Sequence, residues 1–230
     1  MPLDPQALAQ FPLFAGLSQA DLAQVSQLLH RRNVQAGTLL MASEQPGEFA
    51  YLIIEGTVKI VAEMADGRQT ILAFLGAGDM VGEMSLIDSS GRSATVIAIE
   101  PLTVLTMDRV SFTKCLRTLP DLTYNLVRML CSRLRLANEQ IRSLSSLDVA
   151  GRLARQLAAF AERYGRSEPS GGTLVIGLRL TQTDLGELVG ASRERVNQVM
   201  GELKQRGLIS SDSAHRILVH DLPALADLAA

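Results

Sequence analysis

Apolar residues change their spacing along the chain, and each change marks a new kind of element. Up to residue 31 the spacing is helical: Leu22, Val25, Leu28 and Leu29 follow Ser18-Gln-Ala-Asp21, a capping-box-like start with Asp in the acid's place. From about 34 to 108 the pattern shortens to β-rich runs divided by turns. Examples are YLIIEGTVKIVAE (51–63), Asp66-Gly67, QTILAFL (69–75) and Gly76-Ala-Gly78-Asp79. Asp-Gly between two apolar runs predicts a hairpin, and many short strands at this spacing predict a sandwich or jelly roll. From 109 to 147 helical spacing returns, with a break at Pro120. Leu126, Leu130, Leu134, Ala137, Ile141 and Leu144 recur there every three or four residues. That stripe is longer than a small domain needs to cover its sheet. It reads as a parallel coiled-coil seam between two chains, the plainer alternative being a helix packed on its own core.

The last third is patterned differently. Asp148 caps a helix running through GRLARQLAAFAERYG and stopping at Gly165, and RSEPSGG (166–172) reads as an exposed loop. A small α/β unit follows: a strand at 173–179, two helices around a tight turn, and a hairpin in GLISSDSAHRILVH (207–220). The whole predicts an α+β protein. Its parts are a β-roll with N-terminal helices (1–108), a long helix (109–147) and a winged helix-turn-helix (148–230).

The two helices lie in LTQTDLGELVGASRERVNQVMGELKQRGLI (180–209). Thr181 and Asp184 start the first, Gly190-Ala191-Ser192 makes the turn, and Val196, Val199, Met200 and Leu203 give the second an apolar face. The second helix displays Ser192, Arg193, Glu194, Asn197 and Gln198, mostly at the end that reaches base edges in a recognition helix. Arg pairs with guanine O6 and N7, and Glu accepts from cytosine N4. Ser192 and Thr181 suit phosphates, as do the N–H groups at helix starts. The alternative is a solvated face on which Arg and Glu pair with each other.

Charge sharpens this division of labour. Residues 1–148 carry 12 basic and 15 acidic side chains, a balance of −3; residues 149–230 carry 10 and 9, a balance of +1. The 47% apolar content fits a globular protein, and no apolar run approaches the roughly 20 residues that span a bilayer. Met-Pro-Leu-Asp-Pro-Gln lacks the basic and apolar regions of a secretory signal, so a cytoplasmic setting is expected. Cys115 and Cys131 both read as buried free thiols.

One stretch fits none of these structural roles. VGEMSLIDSSGRSATV (81–96) sets Gly82 beside Glu83 and brings Arg92 and Ser93 nine residues after the acid, across an Asp-Ser-Ser-Gly turn. A guanidinium and a hydroxyl can clamp a phosphate, a carboxylate can accept from a ribose hydroxyl, and glycine lets backbone approach closely. The alternative is an Arg–Glu surface pair on a structural turn.

Residues 82–95, GEMSLIDSSGRSAT, resemble the phosphate-binding cassette of cyclic-nucleotide-binding domains. Together with the SLDVAGRLA hinge and the VGASRERV segment, nearly the whole chain resembles the cyclic-AMP receptor protein (Crp–Fnr) family of bacterial transcription regulators. The resemblance implies a homodimer that binds cyclic AMP, double-stranded palindromic promoter DNA and RNA polymerase; no nucleophile–base–orienter set is apparent in the sequence, so an enzyme is not expected. The resemblance places Gly82, Glu83, Met84, Ser85, Arg92, Ser93 and Ala94 around the ribose and cyclic phosphate, with Arg133 and Asn138 towards the purine. It assigns DNA contacts to Thr181, Thr183, Ser192, Arg193, Glu194, Asn197 and Gln198. The chain departs from the best-known cyclic-AMP receptors at Ala137-Asn138, where they carry Thr-Ser, and at Gln198, where they carry a second base-reading arginine. Ser85 also fills a position often held by a smaller residue.

The family's Fe–S and haem branches are not expected. No cysteine precedes Cys115, and the only histidine before residue 200, His30, is placed outside the β region. His215 and His220 read as solvent-facing wing residues rather than metal ligands. Two rival readings stay open: a ligand-independent regulator of the same fold with a vestigial pocket, and a cyclic-nucleotide-responsive module acting on a protein partner.

Overall fold

The computed structural model describes residues 4–63, 69–168, 172–214 and 216–228, so the Asp66-Gly67 turn and His215 lie outside the described residues. The chain divides into two compact units, Met1–Glu63 with Phe74–Ala137, and Met64–Ala73 with Asn138–Ala230.

The first unit opens with α1 (Pro5–Leu8), a 3-10 turn (Pro12–Phe14) and α2 (Gln19–Leu28). In chain order the next strands are β1 (His30–Val34), β2 (Leu39–Met41), β3 (Phe49–Glu55), β4 (Val58–Glu63), β5 (Gln69–Leu75), β6 (Met80–Val81), β7 (Thr95–Ala98) and β8 (Leu102–Asp108), with α3 (Glu83–Ile87) between β6 and β7; Gln69–Ala73 of β5 fall in the second unit. These strands form two four-stranded sheets, ordered β1-β8-β3-β6 and β2-β7-β4-β5. His30 therefore begins the first strand instead of lying outside the β region. Its carbonyl accepts from the Thr106 hydroxyl across the β1–β8 pair.

The central strands explain the two-layer core. Alternate residues of a strand face opposite sides. Ala50 and Leu52 of β3 accordingly join Leu105 and Met107 of β8 under the helices, with Phe14, Leu22, Phe112 and Leu122. Tyr51 and Ile53 join Val104, Val58 and Val96 between the sheets.

Side-chain caps fix the helix starts. The Ser18 hydroxyl accepts from the Asp21 N–H at 3.2 Å and donates to its carboxylate at 2.6 Å, closing the box read from the sequence. Asp108 caps α4 (Arg109–Thr118), and the break falls at Leu119, so that Pro120 opens α5 (Pro120–Ser146).

The α5 stripe read from the sequence divides between two faces. Leu126 is buried in the core below α2, and Leu130 packs against that core. Tyr124 and Val127 are exposed, as are Leu134 and Ile141, each 63% accessible. With Cys131, Asn138 and Ser145, also exposed, they recur at alternating steps of three and four residues, the spacing of a two-stranded seam. Cys131 is thus exposed, whereas Cys115 is buried and its thiol is pushed up by desolvation.

The second unit is built on α6 (Val149–Tyr164), capped by Asp148, which accepts from the Gly151 N–H at 2.8 Å. Then come β9 (Gly165–Ser167), β10 (Leu174–Ile176), α7 (Gln182–Val189), α8 (Arg193–Gln205), β11 (Ile209–Ser211), β12 (Ile217–Val219) and α9 (Leu222–Asp227). Its antiparallel sheet runs β11-β12-β10-β9. Residues 166 and 167 of the expected loop belong to an edge strand that begins at Gly165 and pairs with β10.

Candidate functional site

The cassette begins where β6 ends. Gly82 caps α3 with φ 83, and a Cβ there would lie 2.5 Å from Arg92 Nη1. Glycine is required twice over, for the left-handed backbone and for the guanidinium pressed against it.

Arg92, nearly buried, is held from three sides. Its Nη1 donates to the Gly82 carbonyl at 2.6 Å and to Ser85 Oγ at 2.9 Å, and its Nη2 donates to the Phe49 carbonyl at 2.7 Å. Among the described residues these account for three of its five N–H donors. The Nε–H and one Nη2–H are left, charged donors suited to an oxyanion. The backbone is clamped as well: the Arg92 N–H donates to the Gln45 carbonyl, and its carbonyl accepts from the Glu44 N–H, both at 2.9 Å.

Glu83 is 2% accessible. Burial pushes its carboxyl above the ordinary carboxylate range, opposed by the Arg133 guanidinium. Arg133 Nη1 donates to Glu83 Oε1 at 2.8 Å, Nη2 donates to the Met80 carbonyl, and Asp79 lies 3.9 Å away. The Nε of Arg133 is buried without a partner among the described residues. The first half of α5 is thereby tied to the acid of the cassette.

The remaining predicted residues differ in exposure. Ser85 and Ala94 are buried, Met84 and Ser93 are exposed, and the Ser93 hydroxyl points at the Met84 sulfur, 3.8 Å away. Asn138 and Ala137 are exposed on α5. Sequence reasoning missed the Phe49 and Met80 carbonyls and the side chain of Arg109, whose guanidinium bonds Gly47, Ser85 and Ser89. Backbone acceptors have no residue signature.

The second surface lies on α7 and α8. Thr181 caps α7, accepting from the Asp184 N–H at 3.1 Å and donating to its carboxylate, and Gly190 ends that helix in the left-handed conformation. Ser192 caps α8, accepting from the Arg195 N–H at 3.2 Å. Thr183, Arg193, Glu194, Asn197 and Gln198 are all exposed, while Val196, Val199, Met200 and Leu203 are buried beneath them. Neighbouring positions on a helix do not face each other, so Arg193 and Glu194 point apart. The Glu194 carboxyl is held below its usual range by its own backbone N–H and by Ser192. The Gln182 amide donates to Asn197 at 2.9 Å, and the Gln198 amide to Glu202 at 3.1 Å. In the wing, His220 bridges the hydroxyls of Thr173 and Ser210 at 3.1 and 2.9 Å.

Comparison with known proteins covers both surfaces. Residues 31–118 match the family model described as Cyclic nucleotide-binding domain, and residues 151–228 match Crp-like helix-turn-helix domain. The chain is 34% identical over 221 residues to a CRP-like cAMP-activated global transcriptional regulator of Mycobacterium tuberculosis, covering 96% of this chain and 97% of that protein. Its fold is similar to that of FixK2 from Bradyrhizobium japonicum, with a TM-score of 0.77 at 22% identity over 88% of this chain and 98% of that one. It is also similar to CLP, a c-di-GMP responsive global regulator of Xanthomonas campestris, with a TM-score of 0.68 and 25% identity over 89% and 100% of the two chains.

Proposed function

This chain belongs to the Crp–Fnr family of DNA-binding transcription regulators, and from that premise we propose that it is a homodimer whose grip on DNA is controlled by cyclic AMP. The observation that carries the ligand reading is the Arg92 guanidinium. Three protein acceptors hold it and leave the Nε–H and one Nη2–H beside a buried carboxylate. Those donors fit one exocyclic oxygen of a cyclic phosphate, and Glu83 fits the ribose 2′-hydroxyl. The ligand then bonds a carboxylate that already holds Arg133 of α5, which gives it a handle on the long helix. Asn138 supplies a carboxamide, with donor and acceptor together, for the purine edge.

The exposed seam of Val127, Leu134 and Ile141 is the surface for the twin chain. A two-fold dimer reads two half-sites about one helical turn apart, with Arg193 and Glu194 at base edges and Thr181, Thr183 and Ser192 near phosphates. Promoter-bound RNA polymerase is the expected further partner, and the cytoplasm the setting. The cassette residues and those on α8 serve binding, and none of them is given a catalytic step.

Calorimetry on the full chain with cyclic AMP and cyclic GMP, paired with anisotropy titrations of a palindromic duplex, tests the proposal. The expected result is binding of cyclic AMP in preference to cyclic GMP, with tighter DNA binding when it is present. Coupling requires differential affinity for the two states. DNA affinity unchanged by millimolar cyclic AMP, with no heat of binding, establishes the vestigial pocket instead. Cyclic AMP binding without affinity for DNA establishes the module that acts on a protein partner.

A further inference from the structure

We propose that Arg109 is the positioning residue of the phosphate subsite, an assignment that rests on the cyclic-nucleotide reading of Arg92. Arg109 is the first residue of α4, set in place by the Asp108 cap and by its own N–H, which donates to the Glu48 carbonyl at 2.9 Å. Its guanidinium then spans two segments distant in sequence. Nε and Nη2 donate to the Gly47 carbonyl at 3.1 and 2.8 Å, Nη2 also to the Ser85 carbonyl at 2.9 Å, and Nη1 to the Ser89 hydroxyl at 3.3 Å.

These are the segments that Arg92 also holds, through Phe49, Gly82 and Ser85. The contrast between the two arginines separates their roles. Arg92 keeps two N–H donors for a ligand, whereas four of the five on Arg109 are already given to the protein. Arg109 therefore aims and Arg92 binds.

Gly47 shows how tight the aim is. A Cβ at that position would lie 2.2 Å from Ser85 Oγ and 3.3 Å from Arg92 Cζ. The Gly47 backbone thus lies directly on the Ser85–Arg92 pair, and Arg109 is what draws it there. A lysine cannot replace this, because one ammonium has no planar fork to reach Gly47 and Ser85 in fixed geometry.

The test uses the two phosphorothioate diastereomers of cyclic AMP, in which sulfur replaces one or the other exocyclic oxygen. A fork aimed at one oxygen separates them, and a loosely held fork does not. In the full-length protein, wild type is expected to discriminate between the diastereomers. Arg109→Lys is expected to bind cyclic AMP about tenfold more weakly, the loss of roughly one hydrogen bond to a charged group, and to lose most of the discrimination. Arg109→Gln, which keeps an amide donor but has no fork to hold Gly47 and Ser85 together, is expected to give the same loss. It also serves as the deciding variant if Arg109→Lys does not fold.

Affinities for both diastereomers that fall in parallel, with the ratio kept, assign Arg109 to general support of the domain and overturn the proposal. A ratio and affinity equal to wild type in both variants overturns it too. If wild type binds neither diastereomer nor cyclic AMP, the cyclic-nucleotide reading itself fails, and this assignment with it.

Discussion

Glu83 and Arg133 stand fifty residues apart in the chain and meet in a 2.8 Å ion pair, with the carboxylate almost wholly buried and the guanidinium partly so. The pair joins the cassette to α5, and its two partners are not equally at ease. Glu83 carries the desolvation penalty, and Arg133 offsets part of it. Arg133→Ala is expected to leave the acid uncompensated and to cost about 2–4 kcal/mol of stability by urea unfolding.

The same imbalance has a pH signature of definite sign. Burial raises the Glu83 carboxyl from its ordinary value of 4.5, so the folded state holds this proton more tightly than the unfolded chain does. Its contribution is complete below pH 4.5 and is lost as pH climbs through the raised folded value. Asp108, Glu194 and Asp212 are lowered and slope the other way, so the wild-type curve alone is not diagnostic. The difference in unfolding free energy between wild type and Glu83→Gln isolates the effect. It should move against wild type as pH rises from 4.5 towards neutrality. A flat difference across that range contradicts the assignment.

Arg92→Ala is expected to act on both ligand and fold. It removes the donor fork and leaves the Gly82 and Phe49 carbonyls without their guanidinium partner. Cyclic AMP stimulation of DNA binding should vanish, while stability falls by about 1–3 kcal/mol. The fold nonetheless survives, which circular dichroism checks beside the DNA titration.

The two faces of α5 give opposite outcomes. Leu126→Ala empties part of the core and should cost about 2–4 kcal/mol in unfolding. Ile141→Lys lies on the exposed seam, where a charge disturbs no packing within the chain, so thermal stability of the monomer should hardly change. Sedimentation should nevertheless show the dimer lost. A dimer undiminished by Ile141→Lys and Leu134→Lys together places the twin chain elsewhere.

On α8, Arg193→Ala should cost about 1–3 kcal/mol at the matched site and relax preference at one base pair, without loss of stability, because the side chain is exposed. Equal losses on matched and scrambled DNA assign it to phosphate. Gln198→Arg should shift preference at its base pair from adenine towards guanine, which competition binding with single-base variants reads directly.

What could be read from the chain beforehand was mostly local. Caps at Ser18, Asp148 and Thr181 form between residues three apart, so the sequence displays them whole. The cassette motif showed Arg92 and Glu83 but not what holds them. Arg92 reaches Phe49 across 43 residues and Arg109 reaches Gly47 across 62, and in both cases the acceptor is a peptide carbonyl that any residue could supply. The α5 stripe misled for a different reason. One helix serves its own core through Leu126 and presents Leu134 and Ile141 outward, and a repeat of three and four fits either face. Residues 165–167 have no strand composition and become β9 only because β10 offers an edge.

The contact between Gly47 and Ser85 also bears on how such a sequence can drift. While position 85 carries a hydroxyl seated against Arg92, position 47 has no room for even a methyl group. The order of change is therefore constrained: a descendant could gain a side chain at 47 only after 85 had shrunk, and a lineage that enlarged 47 first would loosen its own anion clamp. Among related proteins the two positions are expected to vary together, small at 47 wherever 85 is large, although thirty-eight residues of chain separate them.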